Sequence, residues 1–242
     1  MSDLVPLLVS AFRHQIYEVY TSIPCIIVNV KNINEHRVDV QPCINIITPE
    51  GDYEEHPVIL SVPVMFPATK TSALTFKVEA GDTVLCTFSQ RCIDLFKSSG
   101  GIVNPLDLRQ FDKRDAVAQL GLFPFQTAIN NPSTRTWTHN TNDTVLVHNI
   151  GTGNEVEIRL AESGKLTINT NQAIEVNAQT ATVNAQTSTV NGNLVVNGNI
   201  NCSQTITATT DVVGGGKSLK THTHTGSPTA PTGAISPTGA PI

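Results

Sequence analysis

The residues best suited to chemistry in this 242-residue chain are two histidines near its end, within Lys220-Thr221-His222-Thr223-His224-Thr225-Gly226. On an extended segment, side chains at i and i+2 project to the same side. His222 and His224 can therefore present two imidazoles to one point, which is an incomplete metal shell. Three copies on a three-fold axis would supply six nitrogens. That octahedral set suits Fe(II) or another first-row ion better than zinc, which takes four ligands. Such a site would need neutral imidazoles and would be coupled to folding. An exposed polar turn is the alternative for the same residues.

Other constellations are weaker. GxSxG, HExxH and P-loop patterns are absent, which points away from the common hydrolase, metalloprotease and nucleotidase sites. Asp112 and Asp115 lie close in sequence to Arg109 and Arg114. They could form an acid–base cluster, but an ion-paired loop is the favoured reading. His14, His36, His56, His139 and His148 are scattered without ligand spacing. The five cysteines (Cys25, Cys43, Cys86, Cys92, Cys202) are odd in number and include no CxxC, so free buried thiols are expected instead of a disulfide framework or a zinc site. The expectation is a protein that is not an enzyme. A net charge of −5 argues against nucleic acid as a partner, because counterion displacement needs a basic field. The apolar runs fall far short of the roughly 18–20 residues that span a bilayer. Met1-Ser2-Asp3 lacks the basic start of a signal peptide, so synthesis in a cytoplasm is expected.

The elements that must position the histidines fall into two regimes. All twelve Phe, Tyr and Trp residues lie between Phe12 and Trp137, and no charged residue lies between Val176 and Thr210. A half without aromatics cannot build a conventional globular core, since those rings supply much of the buried area. In the first half, Leu4, Leu8, Phe12 and Ile16 share one helical face, so residues 1–22 are read as an N-terminal helix. Residues 23–98 carry short β-type runs: 25–30, 37–41, 45–47, 58–62, 64–66 and 83–88. They suit a small closed barrel, with the five-stranded OB fold as first choice. Residues 99–140 read as an irregular linker packed on that barrel.

The second regime covers a β-helix shaft over 141–216 and a tip over 217–242. Its signature is a quasi-repeat beginning at Val176, Val183, Val190 and Val196, each followed by Asn. The seven-residue spacing is not a coiled coil, because Val, Thr and Asn are poor helix formers and Gly192 and Gly198 interrupt it. Small or apolar residues alternate within each repeat, as in Ile174, Val176 and Ala178, which is the strand period. One such chain encloses too little to bury alone, whereas three wrapped about an axis would enclose Val, Ile, Leu and Ala and pair most strand edges. At about 4.8 Å per stacked strand, residues 151–212 would build a shaft on the order of 40 Å long. A disordered polar tract is the alternative. Gly214-Gly215-Gly216 reads as a flexible run at the shaft's end.

Three stretches resemble the trimeric membrane-piercing baseplate spikes of contractile-tailed bacteriophages. They are the barrel end at Val78 to Asp94; Arg109-Gln110-Phe111-Asp112-Lys113-Arg114-Asp115-Ala116-Val117 with Gly121-Leu122-Phe123-Pro124; and His222-Thr223-His224-Thr225-Gly226 with its Gly/Pro/Ser/Thr tail. The resemblance implies an all-β homotrimer: an N-terminal OB-fold barrel with a leading helix, then a trimeric intertwined β-helix shaft and a metal-capped tip. By the same resemblance His222 and His224 of three chains hold one iron ion (Fe2+). The barrel end then binds the tail hub of the baseplate, and sheath contraction drives the point through the host outer membrane. The expected location is the virion, at the tip of the tail baseplate. A spike of a phage-derived bacteriocin or secretion machine fits the same residues. A receptor-binding tail fibre or tailspike is the rival of a different class, and would call for sugar-stacking rings or paired carboxylates that the sequence lacks after Trp137.

Overall fold

The computed structural model describes residues 4–17, 19–48, 50–130 and 132–222. The chain divides into two units, Met1–Val176 and Asn177–Ile242. In the first, helix α1 (Leu4–Tyr17) leads into β1 (Ser22–Asn29), β2 (Arg37–Pro42), a short outlying hairpin of β3 (Ile46–Ile47) and β4 (Tyr53–Glu54), then β5 (Ile59–Met65) and β6 (Thr83–Phe88). Helix α2 (Asp94–Ser99) and β7 (Ala116–Leu120) follow, and then β8 (Thr144–His148), β9 (Val156–Leu160) and β10 (Leu166–Thr170). The second unit carries β11 (Val213–Gly214) and β12 (Lys217–Ser218).

The first unit contains the expected closed five-stranded barrel, ordered β1-β2-β5-β7-β6. All its pairs are antiparallel except β5 with β7. Alternation places Cys25 and Ile27, Val38 and Val40, and Val84, Cys86 and Phe88 inside. In β5 the buried positions run Ile59, Val62, Val64, so parity changes once. The change occurs at Ser61, whose φ is 54°. Its N–H donates to Asp39 Oδ1 at 2.9 Å, while Asp39 Oδ2 accepts from Asn29 Nδ2 at 2.8 Å. One carboxylate thus staples irregularities on both neighbouring strands, and local bulges of this kind let a small sheet coil into closure.

Three sequence expectations change here. The run 45–47 leaves the barrel and pairs with Tyr53–Glu54 instead. The fifth barrel strand is β7, inside the stretch 99–140 that reads as linker. Its Ala116 and Ala118 are almost fully buried, but two alanines in five residues carry little β-type signal. Finally, Gly214-Gly215-Gly216 is no flexible run. Val213 pairs with Ser218 and Gly214 with Lys217, and the turn between them holds Gly215 at φ 57° and Gly216 at φ 78°. Two successive positive φ values define the tight hairpin turn that glycine accommodates at least cost. The expected shaft–tip boundary at 216/217 therefore falls inside a hairpin.

Strands β10-β9-β8 form a separate three-stranded sheet. From residue 171 to residue 210 the chain forms neither helix nor strand, and every residue in that span is exposed. Val176 and Val183 are 77% and 76% exposed. The segment has the alternation of a strand but finds no ladder partner within its own chain. Among the described residues, no helix is long and apolar enough to cross a membrane.

Candidate functional site

The Arg109 region forms a knot of charge against the barrel. Asp115 opens β7 and is completely buried. Arg109 grips it with two donors, Nε to Oδ2 at 2.6 Å and Nη2 to Oδ1 at 2.8 Å. The same guanidinium reaches Asp107 Oδ2 at 2.7 Å and bonds Asp94. Asp115 also accepts the Ile93 N–H at 2.9 Å, tying the start of α2 to β7. Hydrogen bonds from Arg109, then from Lys97, pull Asp94 down to about 2, and the Asp115 carboxylate raises Arg109. Cys92, Asp94 and Asp115 bring ligand atoms close enough together to suit a cation. The guanidinium of Arg109, bonded to two of the three, already supplies the positive charge. Asp112 forms a separate pair with Arg114, which holds its carboxyl down at about 2. Of the four residues read together in sequence, the fold joins Arg109 to Asp115 and Asp112 to Arg114.

A second buried network was missed by sequence reading. Arg135 bonds Glu155 Oε1 and Glu157 Oε2, each at 3.2 Å. Asn169 donates to Glu157 at 2.7 Å, and Arg159 bridges Glu157 and Asp143. Burial pushes the Glu155 carboxyl upward, yet the Gly151 N–H and the Thr136 N–H and hydroxyl, with Arg135, leave it below its ordinary value. Gly151 is needed here: its φ is 73°, and a Cβ would lie 2.9 Å from the Thr134 carbonyl oxygen. The network sits on one face of the three-stranded sheet, with Val145, Val147, Arg159 and Thr167. The register Leu146–Ile158–Ile168 and Thr144–Leu160–Leu166 puts the large aliphatic residues on the other face. There Leu146 is 47%, Ile158 42% and Ile168 51% exposed. The sheet is inverted relative to an ordinary half-buried one. Beside it, Leu74 to Lys77 and the β8–β9 pair line a cleft of about 270 Å³.

The sequence-predicted metal residues lie after the β11–β12 hairpin. His222 is exposed, and His224 lies outside the described residues. The His222 N–H donates to the Ser218 carbonyl at 3.0 Å, closing a single helical turn. Its ring Nδ1 lies 3.1 Å from that carbonyl oxygen and 3.0 Å from the Leu219 carbonyl oxygen. Carbonyl oxygens only accept, so Nδ1 carries the proton and the neutral ring keeps its lone pair on Nε2. That is the state in which a histidine ligates a metal while its other nitrogen is held by the backbone. The donor chemistry of His222 therefore fits a first-row ion.

The remaining described histidines stand elsewhere. His36 packs on Phe66 with ring centroids 5.2 Å apart, and His56 meets Tyr20 edge-on at 6.2 Å. Burial, then nearby Lys113, lowers His56. His139 encloses both ring nitrogens without a hydrogen-bond partner. The five cysteines are free, but only Cys25, Cys86 and Cys92 are buried; Cys43 and Cys202 are exposed, contrary to expectation.

No curated protein matches the chain. Residues 23–121 match the family model described as the phage protein Gp138 N-terminal domain, a span that takes in the closed barrel and the Arg109 knot together, so this part of the chain resembles the N-terminal domain of a phage protein.

Proposed function

We propose that the protein is a structural spike of a contractile phage tail, and not an enzyme. Three copies intertwine their shafts from 141–216 as a β-helix. His222 and His224 of the three chains together hold one iron ion (Fe2+), which cross-links the point. The barrel end, of the OB type by its strand order, attaches to the tail hub or a baseplate protein, and sheath contraction drives the tip through the host outer membrane. The protein is made in the host cytoplasm, resides at the baseplate tip of the virion, and enters the host envelope on infection. No nucleic acid is engaged.

The observation that carries this reading is the run 171–210, wholly exposed in one chain, free of charge after Glu175, and alternating in apolar residues. Such a segment needs strand partners, and identical chains supply the matching pattern. The phage-domain match over 23–121 supports the setting, and the lone-pair state of His222 supports the metal. An uncharged shaft suits passage through hydrocarbon, where charge is costly, while contraction supplies the work. Native mass spectrometry with elemental analysis tests it. Three chains with one transition-metal ion are expected; a monomer, or a trimer free of transition metal, overturns the proposal.

A further inference from the structure

Asp211 is the sole charged residue between Glu175 and Lys217. A lone carboxylate in an otherwise neutral stretch invites the question of what it holds. Its Oδ1 accepts the Val212 N–H at 2.8 Å and the Lys220 N–H at 3.2 Å, spanning the whole hairpin. The Ser218 hydroxyl donates to the same carboxylate and itself accepts the Thr221 N–H at 3.0 Å. The Leu219 N–H donates to Val212 O at 2.9 Å, which fixes the two arms in register. Every link ends on the turn 218–222, the turn whose carbonyls at Ser218 and Leu219 face His222 Nδ1.

We infer that Asp211 is a positioning residue for the tip metal: through Ser218 and Lys220 it sets the turn whose carbonyls keep the proton of His222 on Nδ1 and leave Nε2 to bind. The inference rests on the reading of His222 as a metal ligand. Asp211 makes no contact with the ion in this scheme. It acts as groups behind metal-bound histidines act elsewhere, by fixing tautomer and ring orientation before the metal arrives. The glycine turn at 215–216 is what allows it, because only a tight hairpin brings position 211 level with positions 218 and 220.

The test uses the full chain, stripped of metal with a chelator and reloaded with Fe(II) under anaerobic conditions. Affinity is read by chelator competition, and the tautomer of His222 by the carbon and nitrogen shifts of its ring in the metal-free protein. D211A should weaken Fe(II) binding about 10–100-fold and shift His222 away from the Nδ1–H tautomer, with the oligomer mass unchanged. D211N should restore both, since its amide oxygen still accepts from Val212 and Lys220. S218A, which breaks only the hydroxyl link, should move both readouts in the same direction and serves if D211A does not fold. Wild-type affinity and tautomer in D211A overturn the inference alone. Wild-type protein that takes up no Fe(II) overturns both it and the metal reading beneath it.

Discussion

Asp115 is a carboxylate with no access to water, and it persists because Arg109 meets both its oxygens while the Ile93 N–H occupies another lone pair. Removing one partner of such a pair strands the other. Arg109→Met should cost on the order of 3–5 kcal/mol, and adding Asp115→Asn should recover part of that loss, because the amide oxygen can still serve Ile93. Urea unfolding of the three forms checks this. The same titrations, repeated as pH falls, carry a sign. Asp94 is depressed in the folded state, so its contribution is complete above 3.8 and disappears as pH drops through about 2; wild type should weaken across that window and Arg109→Met should weaken less. The residue types of this knot were legible in sequence. The partners were not, since Asp94 and Asp107 join Arg109 only because the barrel folds α2 back against β7.

At the scale of elements, alternation reported the strands well and their faces poorly. Val156-Glu157-Ile158-Arg159-Leu160 alternates apolar with charged residues, and the ordinary inference buries the apolar set. Here the charged set is covered, because Arg135 arrives from an irregular segment to neutralise Glu155 and Glu157. Nothing local announces that arrival. The consequence is an aliphatic face of Leu146, Ile158, Leu160, Leu166 and Ile168 left to solvent in one chain. It carries no charge of either sign, so identical copies meet on it without repulsion. Ile158→Asp with Ile168→Asp should leave the barrel intact by circular dichroism and break the oligomer down to monomers by light scattering. An unchanged oligomer would place the association surface elsewhere. Strand β7 shows the converse failure: two alanines hide a central strand that the topology requires for closure.

For the whole molecule, the contrast between an aromatic-bearing half and a ring-free half marked the two regimes but placed their border imperfectly, since β8–β10 belong to the same unit as the barrel. Helix α1 adds a second uncovered apolar element at the barrel end, with Leu4, Leu7, Phe12 and Ile16 all more than 60% exposed. On the proposed assembly, metal and shaft stabilise different things. Chelation should therefore raise amide exchange in 217–222 while the oligomer keeps its mass, and dissociation on chelation would show that the ion, and not the shaft, holds the chains together.

Closure of the barrel by β7 also bears on how the chain is made. Leu120 is the last residue that the barrel requires, and the 122 residues that follow it here take roughly 6–24 s to add at about 5–20 residues per second. The ribosome can thus deliver a finished, self-sufficient head well before the segment that cannot stand alone. The adhesive stretch then spends the least time without companions, and neighbouring ribosomes on one message are the nearest source of them.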